Sequence, residues 1–153
     1  MSEMEERRFD VAICGGSFVG LALARALTSL APGAFRIAIV EQRALEDARA
    51  GAFDGRAAAL TAAVKTMLEV IGVWPMLAEK AQPVERIELT DSELQAAIRV
   101  PLIALDAAEA PDGQPTAYIV DNADLRGALF ASLDGAGDIT FFAPERVEGF
   151  TPG

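Results

Sequence analysis

The sequence predicts an α/β fold whose first part is a parallel sheet with connecting helices. An apolar run at residues 9–14 indicates a buried strand, helical periodicity covers residues 18–30, and a second apolar run occupies residues 36–40. Strand, helix and strand within about 33 residues is the size of a βαβ unit, whose two strands are parallel. We therefore expect a Rossmann-like βαβ unit at this point of the chain.

Composition excludes several classes of function. The chain has 153 residues, 52% of them hydrophobic, which is enough for a buried core. Its formal charge is −10, which opposes binding to nucleic acid, and it has no histidine, which excludes a Ser-His-Asp triad or a His-ligated zinc within this chain. A single cysteine, Cys14, can form neither an internal disulfide nor a Cys-only metal site. We expect a cytoplasmic protein without a metal site.

The next elements are predicted from periodicity and breakers. A helix is expected over residues 57–71, after an Ala/Arg/Asp-rich loop, and a short one over residues 74–77. The predicted buried face of the helix at 57–71 comprises Leu60, Val64, Met67, Leu68 and Ile71. From residue 84 to 120 the pattern changes to short β-like pieces at 86–90, 97–100 and 117–120, with a turn at 111–113. This stretch predicts an antiparallel insert.

The last part of the chain returns to the first pattern. A helix begins at Asn122, with Asp121 or Asn122 as its cap, and buries Leu125, Leu129 and Leu133. Residues 139–142 form a strand, and residues 147–150 have the composition of another. We divide the chain into residues 1–83, an insert at 84–120 and a return at 121–153. Because the pattern ends on a strand-like segment, we expect an incomplete domain.

A glycine-rich turn lies between the first strand and the first helix. It reads Gly15, Gly16, Ser17, Phe18, Val19 and Gly20. This is a variant of G-x-G-x-x-G, in which the first glycine makes the tight turn, the second lets the backbone approach a pyrophosphate and the third lets the helix pack close to the strand. Ser17 occupies the second glycine position, where its hydroxyl is able to donate to phosphate. The helix start adds free N–H groups that favour an anion.

Glu41 ends the second strand about 20 residues after the turn, as a ribose-binding acid does in dinucleotide folds. The alternative is that the glycines only make a tight turn and that Glu41 is a solvated acid. The context favours dinucleotide binding.

The chain resembles the N-terminal part of the flavin-dependent aromatic hydroxylases, and among them the ubiquinone-biosynthesis type that hydroxylates 2-octaprenyl-6-methoxyphenol. The resemblance rests on residues 9–27, on Asp54-Gly-Arg56 before 57–60, on 68–77, on 86–91 and on Asn122-x-x-Leu-Arg126. The spacing of the Asp-x-Arg and Asn-x-x-Leu-Arg segments is more specific than the glycine turn. The family's later Gly-Asp segment, which contacts the flavin, and most of its substrate-side sheet have no counterpart in this chain.

The resemblance implies FAD as the cofactor and NAD(P)H as a transient reductant. By position, the turn from Gly15 to Gly20 binds the pyrophosphate, Glu41 the adenosine ribose and Arg56 the phosphate or ribityl side of the flavin. Asn122 and Arg126, one helical turn apart, face the same cofactor. The alternatives are that Arg56 is a surface ion-pair partner, Asn122 only a helix cap and Arg126 a solvated residue.

The resemblance therefore predicts the FAD-binding portion of a monooxygenase that hydroxylates an aromatic ring, with peripheral contact to the inner membrane in a longer parent. No catalytic residue is assigned, since the cofactor does the chemistry. Cys14 is predicted to be a core residue, and Glu46, Asp47, Glu109 and Asp112 to be solvated acids. The alternatives are an NAD-binding dehydrogenase and a truncated Rossmann-like module without activity.

Overall fold

The computed structural model describes residues 7–50, 55–91, 95, 97–98, 100–109 and 113–151. Its helices are α1 (Phe18–Leu30), α2 (Leu45–Ala50), α3 (Ala62–Val70) and α4 (Asn122–Ser132), with single 3-10 turns at Trp74–Met76 and Ala107–Glu109. Its strands are β1 (Val11–Cys14), β2 (Ile37–Val40), β3 (Ala57–Thr61), β4 (Gln82–Val84), β5 (Arg86–Thr90), β6 (Pro101–Asp106), β7 (Ala117–Asp121) and β8 (Ile139–Phe142). The predicted α/β fold is confirmed.

A parallel sheet of order β1-β2-β8 carries the βαβ unit. β2 is its central strand, with Ile37 and Ile39 fully buried, and it pairs in parallel with β1 on one side and β8 on the other. Burial on both faces is the usual condition of a parallel strand and explains the unbroken apolar run in β2. The parallel arrangement predicted for this part of the chain is confirmed.

β1 differs from β2 because one of its faces is open. Ile13 is buried, whereas Ala12 and Cys14 are exposed. Because side chains alternate along a strand, Ala12 and Cys14 lie on one face, and their exposure shows that none of the described elements covers it. The prediction that Cys14 is a core residue is wrong for this reason.

A second sheet, of order β3-β7-β4, is antiparallel. Its strand β3 corrects the expectation of one helix over residues 57–71, because the first five residues pair with β7 and the helix begins only at Ala62. Alanine-rich sequence favours a helix, but strand pairing outweighs that preference here. Thr61 marks the boundary, since its hydroxyl accepts a hydrogen bond from the Val64 amide at 3.4 Å.

The remaining two strands, β5 and β6, form an antiparallel ribbon. The strand predicted at residues 97–100 is wrong at 97, 98 and 100, which are not in a strand, while Arg99 lies outside the described residues. β6 begins instead at Pro101, and proline is tolerated at the first residue of a strand because it has no N–H to donate. The turn predicted at 111–113 lies outside the described residues except for Gly113.

The helices predicted to cover residues 18–30 and to begin at Asn122 are both confirmed, but the apolar side chains of α1 are only partly buried. Leu125, Leu129 and Leu133 are all buried in the core. In α1, however, the fully buried residues are Leu21 and Ala24, while a second set of apolar side chains is exposed: Val19, Leu23 and Leu30. Some of these line an apolar groove of about 490 Å³ between α1 and α3, floored by β3 and α4.

Two shorter expectations are also corrected. Residues 45–50, expected to be in a loop, form α2. Its first turn contains two acidic residues and its last turn a basic one, a distribution that suits the helix dipole. Residues 147–150, expected to begin a strand, have no strand partner in the structure. No helix among the described residues combines the length and the apolar character needed to cross a bilayer.

Candidate dinucleotide site

The glycine turn joins β1 to α1 at the carboxyl end of the parallel sheet. Gly15 has φ +111°, a conformation that side chains rarely allow, so a glycine is required to make the turn. Gly20 lies against the Gly15 carbonyl, and a Cβ at Gly20 would overlap that oxygen and lie 3.1 Å from Ile13. The two terminal glycines of the motif therefore have the conformational and packing roles that the sequence predicts for them.

Ser17 is the N-cap residue of α1. It is exposed and extended, and its side chain makes no capping hydrogen bond. The first turn of α1 contains no acidic residue, so the positive end of the helix dipole is not neutralised locally. The serine hydroxyl and the first N–H groups of α1 thus form a surface suited to an anion.

Glu41 follows β2 and contacts the glycine turn directly. The Gly16 amide donates to Glu41 Oε2 at 2.8 Å, and a Cβ at Gly16 would lie 3.1 Å from that oxygen. Glu41 is only 8% exposed, so it is not the solvated strand-end acid of the alternative interpretation. The carboxylate expected to bind a ribose and the turn expected to bind a pyrophosphate are therefore adjacent.

The other Glu41 oxygen is held by Arg43. Oε1 accepts the Arg43 amide at 3.0 Å and Arg43 Nε at 3.1 Å. Burial raises the pKa of Glu41, but the hydrogen bonds from the amides of Arg43 and Gly16 and from the Arg43 side chain, together with its charge, outweigh burial. The pKa of Glu41 is therefore lowered, and the group is ionised at neutral pH.

A pocket of about 400 Å³ opens beside this carboxylate. Its walls come from the ends of β1 and β2 and from the segment after β8, where the Glu145 amide donates to the Glu41 carbonyl at 2.8 Å. The lining residues are Cys14, Gly15, Val40, Glu41, Gln42, Arg43, Glu145, Arg146 and Val147. Sequence reasoning missed Arg43 and the segment after β8; the position of Arg43, two residues after Glu41, is the signal that was available for it.

Arg126 meets the glycine turn from α4. Its guanidinium carbon lies 5.5 Å from the centre of the Phe18 ring, at the first residue of α1. Its Nε is buried and has no hydrogen-bond partner among the described residues. The residue as a whole is half-buried, and an unpaired buried donor of this kind is suited to an anionic ligand.

Arg56 and Asn122 come together at a neighbouring position. The Asn122 amide donates to the Arg56 carbonyl at 3.1 Å, where β3 begins and α4 begins. Asp121, rather than Asn122, is the N-cap residue of α4, and its side chain makes no capping bond. Arg56 is exposed, and Asp54, the other member of the Asp-x-Arg segment, lies outside the described residues.

The acidic residues set aside in the sequence are exposed where the structure describes them. Glu46 and Asp47 lie in the first turn of α2, and Glu109 ends a 3-10 turn. Asp112 lies outside the described residues. These carboxylates do not contribute to the pocket beside Glu41.

The fold of this chain is similar to those of two solved proteins that are described as monooxygenases. p-Nitrophenol 4-monooxygenase PnpA from Pseudomonas putida superposes with a TM-score of 0.70 at 14% identity, over 94% of this chain and 33% of that chain. PqsL from Pseudomonas aeruginosa, described as "a probable FAD-dependent monooxygenase", superposes with a TM-score of 0.71 at 19% identity, over 96% and 36%. No protein-family model matches the chain.

Sequence relatives narrow the class. The ubiquinone hydroxylase UbiL of Rhodospirillum rubrum is 33% identical over 138 residues, which are 90% of this chain and 30% of that protein. The ubiquinone biosynthesis monooxygenase COQ6 of Schizosaccharomyces pombe is 30% identical over 135 residues, 84% and 26% respectively. The predicted resemblance to part of a flavin-dependent aromatic hydroxylase of the ubiquinone type is confirmed. The chain spans about a third of the length of these relatives.

Proposed function

We propose that this chain binds FAD and forms the cofactor-binding portion of an NAD(P)H-dependent monooxygenase that hydroxylates an aromatic ring of the ubiquinone-precursor type. The observation that carries the proposal is the 2.8 Å hydrogen bond between Gly16 and Glu41, which joins the phosphate turn and the ribose acid into one site. The fold similarity to PqsL supports the choice of FAD, and the sequence similarity to UbiL and COQ6 supports a substrate of the ubiquinone-precursor type.

The residues of the site fit two parts of FAD, the anionic pyrophosphate and the hydroxyl groups of the adenosine ribose. The Ser17 hydroxyl, the N-terminal amides of α1 and the orphaned Arg126 Nε are donors for the pyrophosphate. Glu41 is an ionised acceptor for ribose hydroxyls, and the 400 Å³ pocket beside it holds the adenosine. We assign Arg56 and Asn122 to the flavin side of the cofactor from the resemblance to the flavin-dependent hydroxylases; the two residues adjoin each other where β3 and α4 begin.

The work of this chain is binding and orientation. When bound, FAD accepts electrons from a nicotinamide and activates oxygen for ring hydroxylation. The side chains of this chain hold the dinucleotide by its phosphates and ribose and exclude water from the buried carboxylate of Glu41. No residue of this chain is assigned a proton transfer.

The test is a titration of the purified chain with FAD, followed by its visible absorption and by alkylation of Cys14. Cys14 is exposed and lines the pocket proposed for adenosine, so it reports directly on occupancy. We expect FAD and ADP to slow the reaction of Cys14 with iodoacetamide and FMN, which lacks the adenosine half, to leave it unchanged. Glu41→Gln is expected to weaken FAD binding about tenfold, since hydrogen bonds to a charged group contribute about 1.5–3 kcal/mol.

Glu69→Gln is the matched control, because Glu69 is paired with Lys65 on the surface of α3, outside the pocket. It should bind FAD like the unaltered chain. Protection of Cys14 by NAD but not by FAD would favour the dehydrogenase alternative. No protection by any dinucleotide would overturn the proposal and favour a module that binds nothing by itself.

A further inference from the structure

Glu41 must keep one side-chain orientation in order to bind a ribose and to hold the glycine turn by its hydrogen bond to Gly16. Its Oε2 accepts from Gly16, and its Oε1 accepts from both the amide and Nε of Arg43. The carboxylate is therefore held between two segments, the turn after β1 and the loop after β2. Loss of the Arg43 hydrogen bonds should therefore also affect the Gly16 hydrogen bond, because both are made by the same planar carboxylate.

Arg43 is suited to this task by its own surroundings. The Arg43 side chain is 46% exposed, whereas that of Glu41 is 10% exposed, so the cation remains partly hydrated while it pairs with a buried acid. The Arg43 side chain donates Nε to Glu41, and the residue lines the pocket beside that carboxylate. Because one partner is buried, the Arg43–Glu41 pair differs from an exposed surface ion pair, which contributes little to stability.

We propose that Arg43 is a positioning residue of the dinucleotide site: it holds the Glu41 carboxylate in the orientation that binds the adenosine ribose and keeps the Gly16 amide in place. This inference rests on the proposed function. The other ionisable groups around the pocket are Cys14 from the end of β1 and Glu145 and Arg146 from the segment after β8. Arg43 is the cation of this set that hydrogen-bonds Glu41.

The experiment compares Arg43→Ala and Arg43→Lys with Arg36→Ala. Arg36 is the matched control, since it precedes β2 at the opposite end, is exposed and also pairs with one acid, Asp10. Two quantities are measured in each protein. The first is the Glu41 carboxyl titration, followed by ¹³C NMR without ligand, and the second is the affinity for FAD between pH 4 and pH 8.

We expect Arg43→Ala to raise the pKa of Glu41 and to weaken FAD binding about tenfold at pH 7, because a charge-assisted hydrogen bond is lost. The acid limb of FAD affinity should move to higher pH in parallel. Arg43→Lys should restore part of both quantities, because it keeps the charge but not the fork. Arg36→Ala should leave both unchanged.

Three results would overturn the inference. An unchanged Glu41 titration in Arg43→Ala would show that the arginine does not hold the carboxylate. A shifted titration with unchanged FAD affinity would show that its hold does not matter to binding. If the unaltered chain binds no FAD, the proposed function fails and the role of Arg43 fails with it; that result differs from the second, in which all proteins bind equally.

Discussion

The carboxyl end of the parallel sheet and the β5–β6 ribbon differ in how many contacts their side chains make. At the sheet end, Glu41 alone connects the glycine turn, Arg43 and, through its backbone, the segment after β8. In the ribbon, Leu102 is 72% exposed and Ile103 is 50% exposed, although both lie in a strand. A two-stranded ribbon is marginal by itself, and among the described residues this one pairs with no third strand. The Gly16–Glu41 contact joins residues that are 25 positions apart, whereas the ribbon leaves Leu102 and Ile103 exposed.

The comparison predicts its largest effect at Gly20. Gly20→Ala places a Cβ against the Gly15 carbonyl, and either the turn or the start of α1 must shift. We expect a loss of about 3 kcal/mol in the free energy of unfolding, at the upper end of the usual cost of overpacking, together with loss of FAD binding. Urea unfolding and FAD titration measure the two.

Gly127 provides the control, because it lies within α4 and a Cβ there meets nothing within 4 Å. Gly127→Ala should stabilise the chain by about 0.5–1 kcal/mol, since alanine is the better helix former. Equal effects of the two substitutions would contradict the distinction between a packed glycine and a free one.

An intermediate effect is predicted for the dependence of stability on pH. The pKa of Glu41 is lowered in the folded chain, so its contribution is fully present above its ordinary value of 4.5 and is lost as the pH falls through the lower, folded value. Glu41→Gln removes this contribution and should flatten the acid limb. The measurement is urea unfolding between pH 3 and pH 7; an identical acid limb in both proteins would refute the assignment.

The smallest effect is expected in the ribbon. Leu102→Ser changes an exposed side chain and should alter the free energy of unfolding by less than about 0.5 kcal/mol. Any self-association through the ribbon should weaken, because the substitution removes one exposed apolar side chain. Sedimentation velocity and urea unfolding test the two expectations, and a loss above about 1 kcal/mol would mean that Leu102 is packed in solution.

Sequence alone predicts the βαβ unit, the glycine turn and the buried stripe of Leu125, Leu129 and Leu133, because periodicity and glycine chemistry are local properties. It places Glu41 near the turn by spacing, and the structure adds the hydrogen bond to Gly16. The assignment of cofactor contacts to Arg56, Asn122 and Arg126 stays a prediction, as does the division of the chain at residues 84 and 121.

The features that sequence reasoning missed depend on tertiary contacts. β3 has alanines that favour a helix, and only pairing with β7 makes it a strand. Cys14 has the pattern of a buried strand, yet its burial requires an element on the open face of β1. Arg43 is an ordinary loop arginine until folding places Glu41 Oε1 at 3.1 Å from its Nε.

The open face of β1 also determines the size of the side chains that can pack against it. Its exposed side chains, Ala12 and Cys14, are both small, and their neighbour Ile13 points into the core. Protein interiors are filled at the density of organic crystals, so small residues on one side of a contact need large ones on the other. Any element that covers this face must therefore bring bulky leucine- or phenylalanine-sized side chains, and a covering element of alanines would leave a void along the strand.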